Sequence, residues 1–72
     1  MVNVAKLKGK MAEKSYTIYR LAAEIGINKS TLYRKFASNG DSFTIGEARD
    51  IATALSLNAS EVCEIFFEAQ VA

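Results

Sequence analysis

The sequence predicts an all-α fold, a compact domain of five short helices. Three observations lead there. Apolar residues recur at spacings of three and four, and residues that favour helix N-caps precede such runs five times. No stretch shows convincing period-two alternation. No proline, low-complexity tract, internal repeat or linker interrupts the 72 residues, so one domain spanning 1–72 is expected.

Asn3 is placed to cap a first helix carrying Val4, Leu7 and Met11 on one face, with Gly9 weakening its middle by ~1 kcal/mol relative to alanine. A second helix starts at the N-cap Thr17 and stops at Gly26, where only glycine takes a positive φ without steric cost; Leu21, Ala22 and Ile25 form its inner stripe. A third starts at Asn28 and runs to about Ala37, and "SNGDS" follows as a turn in which Asn39 and Gly40 supply the unusual backbone angles. Thr44 and Glu47 have the spacing of a capping box for a fourth helix, with Ile45, Ala48, Ile51, Ala52 and Leu55 expected on its inner face. Asn58 and Glu61 repeat that spacing for a fifth, where Leu57 can staple onto Val62 and the inner stripe continues through Ile65, Phe66 and Ala69.

Composition narrows the function. A single cysteine, Cys63, excludes an intramolecular disulfide, and the absence of histidine excludes a Cys/His zinc site; no cofactor is expected. With no histidine, no phosphate loop and no nucleophile beside a plausible base, an enzyme is not expected either. The N-terminus is too polar for a signal peptide and no apolar run approaches ~18 residues, which points to the cytoplasm. The net charge of +1 hides an asymmetry. Residues 1–35 carry eight bases against two acids, a net +6, whereas residues 36–72 carry one base against six acids, a net −5. The split suggests a basic working surface on an acidic body; the alternative is that the two halves simply attract each other.

Between the second and third helices lie only Gly26, Ile27 and Asn28, a connection short enough for a helix-turn-helix, with Leu21, Ile25, Ile27 and Leu32 as its shared core. At ~100° per residue, Phe36 falls on the same side of the third helix as Leu32. Ser30, Tyr33, Arg34 and Ala37 fall opposite, flanked by Lys29 and Thr31, and this outer face contains no carboxylate. Its chemistry suits a DNA major groove. Arginine offers a rigid fork to guanine O6 and N7, serine and threonine bond base edges or phosphates, and Tyr33 offers a hydroxyl to a phosphate or a ring to a thymine methyl. Lys29 adds its charge to the positive end of the helix dipole, where phosphate is favoured. Lys10 and Lys14 are expected to add sequence-independent contacts.

"YTIYRLAAEIGINKSTLYRKF", a following "NG", and "IATALSLNASEV" together resemble the lambda-repressor/Cro type of helix-turn-helix domain over about Leu7 to Phe66. The most specific points are Leu21-Ala22, Gly26, Ile27, Ser30-Thr31-Leu32 and the spacing of Ala52, Ala54, Leu55 and Leu57. The ending "EVCEIFF" resembles small bacteriophage and prophage regulators. The resemblance implies five helices, sequence-specific DNA binding by the third, and a two-fold homodimer on a pseudo-palindromic operator. It places Lys29, Ser30 and Arg34 at base-reading positions and Asn28 at the helix start, with Thr31, Tyr33, Tyr19, Lys35 and Asn39 completing the expected contact set. Three positions depart from the family pattern. Ile18 stands where many members have a phosphate-binding glutamine, a role left to Tyr19 or Tyr16. Lys35 stands where many have an apolar residue, with Phe36 next to it to fill that space. Phe36 itself replaces the usual acidic residue.

A second apolar line on the fifth helix, Cys63, Phe67 and Val71, lies beyond the inner stripe; it is expected either to pair two copies or to extend the five-helix core. No sensor or peptidase segment follows the helices in this sequence, which favours a stand-alone Cro-like regulator over a full inducible repressor, with the excised N-terminal part of a longer protein as the open alternative. The competing function is a protein-interaction module on the same fold, such as an antirepressor or an antitoxin-like partner.

Overall fold

A computed structural model describes residues 2–38 and 43–67. These form five helices and, among the described residues, no strand: α1 (Val4–Glu13), α2 (Ile18–Ile25), α3 (Lys29–Ala37), α4 (Ile45–Ala54) and α5 (Ala59–Phe66). Each starts at the residue expected to cap it. Asn3, Thr17, Asn28, Thr44 and Asn58 each accept, through a side-chain oxygen, a backbone N–H of the first turn. At Thr44–Glu47 and Asn58–Glu61 the bond is returned by the glutamate, closing both capping boxes.

All five helices contribute to one core of Leu7, Met11, Leu21, Ala22, Leu32, Phe36, Ile51, Leu55, Ile65 and Phe66. Leu57 and Val62 pack at its margin. The backbone N–H of Asn3 donates to the Ile65 carbonyl at 2.7 Å, fastening the start of α1 to α5. The α2–α3 connection is Gly26-Ile27-Asn28, with Gly26 at φ +77° as expected.

Two departures from expectation have physical causes. Ile45 is not an inner residue of α4: it is 87% exposed. Around the helix it lies ~120° from Ile51, so when Ile51 and Leu55 are fully buried Ile45 must face outward, with Ala48 and Ala52 half-buried between them. The helix C-termini also use a device that the composition does not announce. Ser15 and Ser56, at φ 60° and 53°, occupy the left-handed position after α1 and α4. In both, paired backbone bonds close the end: Ser15 to Ala12 and Tyr16 to Met11, then Ser56 to Thr53 and Leu57 to Ala52. A left-handed non-glycine residue costs ~1–2 kcal/mol, whereas glycine adds only ~0.4–1 kcal/mol of unfolded-state entropy. Ser56→Gly is therefore expected to stabilise the domain by up to ~1 kcal/mol, a rise of several degrees in the thermal midpoint. A lower midpoint would show that Ser56 rests there without strain. The expected Ala69 of the fifth helix lies outside the described residues, as do Asn39 and Val71.

Candidate nucleic-acid interface

Asn28 sets the start of α3. Its Oδ1 accepts the N–H groups of Ser30 at 2.8 Å and of Thr31 at 3.4 Å, so that oxygen serves the helix. Leu32 and Phe36 then hold α3 to the core, and Phe36 meets Phe43 edge-on at 5.7 Å between ring centres. With the inner face anchored, Lys29, Ser30, Tyr33 and Arg34 are exposed on the outside. Tyr19, from α2, joins them: its ring is 66% exposed and the Lys29 Nζ lies 5.0 Å from the ring centre. Tyr19, Lys29, Ser30, Tyr33 and Arg34 together line a shallow cup of about 470 Å³. Thr31, half-buried, faces a neighbouring hollow with Arg34, Lys35 and Ser38.

Of the two tyrosines considered as replacements for the helix-two glutamine, only Tyr19 reaches this face with a hydroxyl that makes no hydrogen bond among the described residues. The Tyr16 hydroxyl lies 2.8 Å from both carboxylate oxygens of Glu24 and 3.2 Å from the Ala54 carbonyl, and the Arg20 guanidinium stacks 4.1 Å over its ring. Donation to Glu24, helped by burial, favours the protonated phenol and pushes its pKa up.

Lys35 turns away from the outer face. Its ammonium donates to Glu47 Oε1 at 2.9 Å, with both side chains largely covered, and its Nζ lies 5.9 Å from the centre of the Phe43 ring. A lysine therefore fits at this largely covered position: its stem lies against α4 while its charge is matched there. Glu47 Oε1 also accepts the Thr44 N–H at 2.9 Å, so one oxygen both caps α4 and holds α3. Lys10 is likewise committed. It pairs with Glu61, and with Glu13 at 3.6 Å, so the charge expected to make a sequence-independent contact already has acidic partners within the domain. With Lys6–Glu64 at 3.3 Å, three of the first half's bases are matched by acids of the second. The mutual attraction of the halves is thus real. Among the described residues, Lys8, Lys14, Lys29 and Arg34 have no carboxylate within 4.0 Å.

The same pairs set the acid response. Glu61 is held below the usual glutamate range chiefly by the Lys10 ammonium and then by the Asn58 N–H, against burial. For Glu47 burial is the largest single influence and acts upward, but the Thr44 N–H and the Lys35 ammonium together outweigh it, and its pKa is also lowered. Carboxylates lowered in the folded state contribute stability that is complete above the ordinary glutamate pKa of ~4.3 and is lost as pH falls through the lowered values. The thermal midpoint is expected to hold from about pH 5 upward and to decline below about pH 4. A Glu47→Gln/Glu61→Gln variant that kept the wild-type acid slope would count against this origin. The Lys10 pKa is raised, first by its bond to Glu61 and against burial. That contribution is present below the ordinary lysine value and is lost only as pH rises through the raised one.

A family model for the Cro/C1-type helix-turn-helix DNA-binding domain matches residues 6–68. The chain belongs to the Cro/C1-type helix-turn-helix family. No curated protein and no solved structure gives a significant match to it. Membership makes this a DNA-binding domain of the kind found in transcription regulators, in a family that is not enzymatic. No described helix of this Cro/C1-type domain is long and apolar enough to cross a membrane. The five-helix order and the α2–α3 pair are those implied by the resemblance.

Proposed function

We propose that this Cro/C1-type domain, a single unit over residues 1–72, binds double-stranded DNA sequence-specifically as a small cytoplasmic regulator of the phage or prophage kind. Helix α3 enters the major groove. Lys29, Ser30 and Arg34 read base edges, Tyr33 contacts a base or a phosphate, and Asn28, Thr31 and Tyr19 contact the backbone. Lys14 supplies a non-specific contact, and Asn39, outside the described residues, remains in the proposed set. Lys35 is its weakest member, because Glu47 already holds its charge. The observation that carries this reading is the outer face of α3: exposed, cationic, hydroxyl-bearing and without a carboxylate, on a helix anchored by Leu32 and Phe36.

Selection from random duplexes followed by gel shifts over a salt series tests it. A preferred site is expected, with affinity that falls steeply with ionic strength as phosphate counterions are released. Failure to enrich any sequence would overturn specific recognition.

The proposed regulator acts as a homodimer on two half-sites one helical turn, ~34–36 Å, apart. Exposed Cys63 and half-exposed Phe67 support pairing through α5, and Val71 would extend the line beyond the described residues. Phe67 also borders an apolar groove of about 530 Å³ between α4 and α5, floored by Ala48, Ala52 and Val62 and rimmed by Ile45. Phe67→Asp is expected to weaken self-association at least tenfold in analytical ultracentrifugation. An unchanged association constant with intact helicity would exclude this surface. The same groove favours the alternative reading, a protein-interaction module that does not bind DNA specifically. Its binding would respond little to salt, and no duplex would be selected.

A further inference from the structure

The cup formed by Tyr19, Lys29, Ser30, Tyr33 and Arg34 has a composition of its own. Two exposed aromatic rings stand beside a small serine, and Lys29, drawn over the Tyr19 ring, helps to hold one wall. The remaining polar groups are two cations, both hydrogen-bond donors, and hydroxyls; there is no carboxylate. On its major-groove edge thymine displays an O4 acceptor and a C5 methyl group, whereas cytosine displays an N4 amine donor. An apolar hollow bordered by two cations matches thymine on both counts and opposes the cytosine amine, for which only the hydroxyls offer an acceptor.

From this we infer that the cup is a thymine-methyl receptor. It takes the C5 methyl of a thymine on the base pair next to the guanine held by Arg34, with the Tyr33 ring face as its main contact. Spacing supports the adjacency. Ser30 and Arg34 are separated by ~6 Å along the helix axis, less than two base steps of 3.4 Å. A base pair beside Ser30 and Tyr33 is therefore a direct neighbour of the one that Arg34 reaches. The inference rests on the proposed docking of α3 in the major groove and adds a base identity that the charge pattern alone does not supply.

The experiment starts from the selected duplex and replaces each thymine in turn with deoxyuridine, which deletes the methyl and keeps O4. At the thymine beside the Arg34-dependent guanine, the substitution is expected to weaken binding about fourfold per half-site, the value of one buried methyl group. Placing cytosine and 5-methylcytosine at that position separates the two features. The methylated base should bind about fourfold better than cytosine and still below thymine. Tyr33→Ala should reduce the thymine-to-uracil ratio to one while guanine remains preferred, and Tyr33→Phe should keep the ratio. Equal binding of every uracil-substituted duplex by the unmodified protein overturns the inference, and that comparison needs no variant. So does a Tyr33→Ala protein that retains the ratio, a Tyr33→Phe protein that loses it, or a selected site with no thymine beside that guanine. Each of these leaves specific DNA binding standing. Only a selection that enriches nothing removes both.

Discussion

Leu32→Ala is expected to lower the unfolding free energy by ~2–5 kcal/mol. Leu32 is fully buried, and with Phe36 it is how α3 joins the shared core. Domains are stable by ~0.05–0.15 kcal/mol per residue, so a chain of this length has on the order of 4–11 kcal/mol in total. Removing three carbons from the centre of the α3 contact therefore takes a large part of it. At ~4–8 °C per kcal/mol for a domain this small, the thermal midpoint should fall by roughly 8–40 °C. DNA binding should decline in parallel, although Leu32 touches no base, because the outer face keeps its position only while the inner face is seated. Thermal melts followed by circular dichroism give the answer directly. A loss below ~1 kcal/mol would mean that α3 is held by something other than this core.

Arg34→Ala and Lys10→Ala are expected to produce opposite profiles. Arg34 is exposed and, among the described residues, has no carboxylate partner. Its loss should leave stability within ~0.5 kcal/mol of wild type. At the guanine proposed for it, the expected cost is ~1–3 kcal/mol per half-site, roughly five- to 150-fold, and discrimination at that base pair should relax. Lys10→Ala instead removes the ammonium that matches Glu61, so the melt should fall while affinity for specific and random duplexes holds. Lys14→Ala, in contrast, should weaken every duplex alike and make the salt dependence shallower. Equal losses on specific and random DNA for Arg34→Ala would reassign it to a phosphate.

The contrast between Arg34 and Lys10 also marks how far the sequence was legible. All five N-caps were, because a cap is a bond between residues two or three positions apart and needs no tertiary information. The glycine-containing turn and the inner face of α3 were legible for the same reason: Gly26, Leu32 and Phe36 follow from local conformation and periodicity. Whether a lysine faces outward or pairs with a distant acid depends on which helices meet, and neither Lys10–Glu61 nor Lys35–Glu47 has a local signature. Ile45 failed by a different route, since a stripe at spacings of three and four is wider than the face a five-helix core can cover. On α3, the outward positions of Lys29, Ser30, Tyr33 and Arg34 follow from periodicity alone, whereas Thr31 and Lys35 are half-buried. The Lys29–Tyr19 stack, which joins two helices into one surface, required the packing of α2 on α3.

The division of α3 into a buried pair and an exposed outer face has an evolutionary consequence. Lys29, Ser30, Tyr33 and Arg34 lie outside the hydrophobic core, so they are free to change without disturbing what keeps the chain folded. On the proposed reading of α3, a lineage carrying this domain can therefore rewrite its target by exchanging a few surface letters, with the scaffold inherited intact.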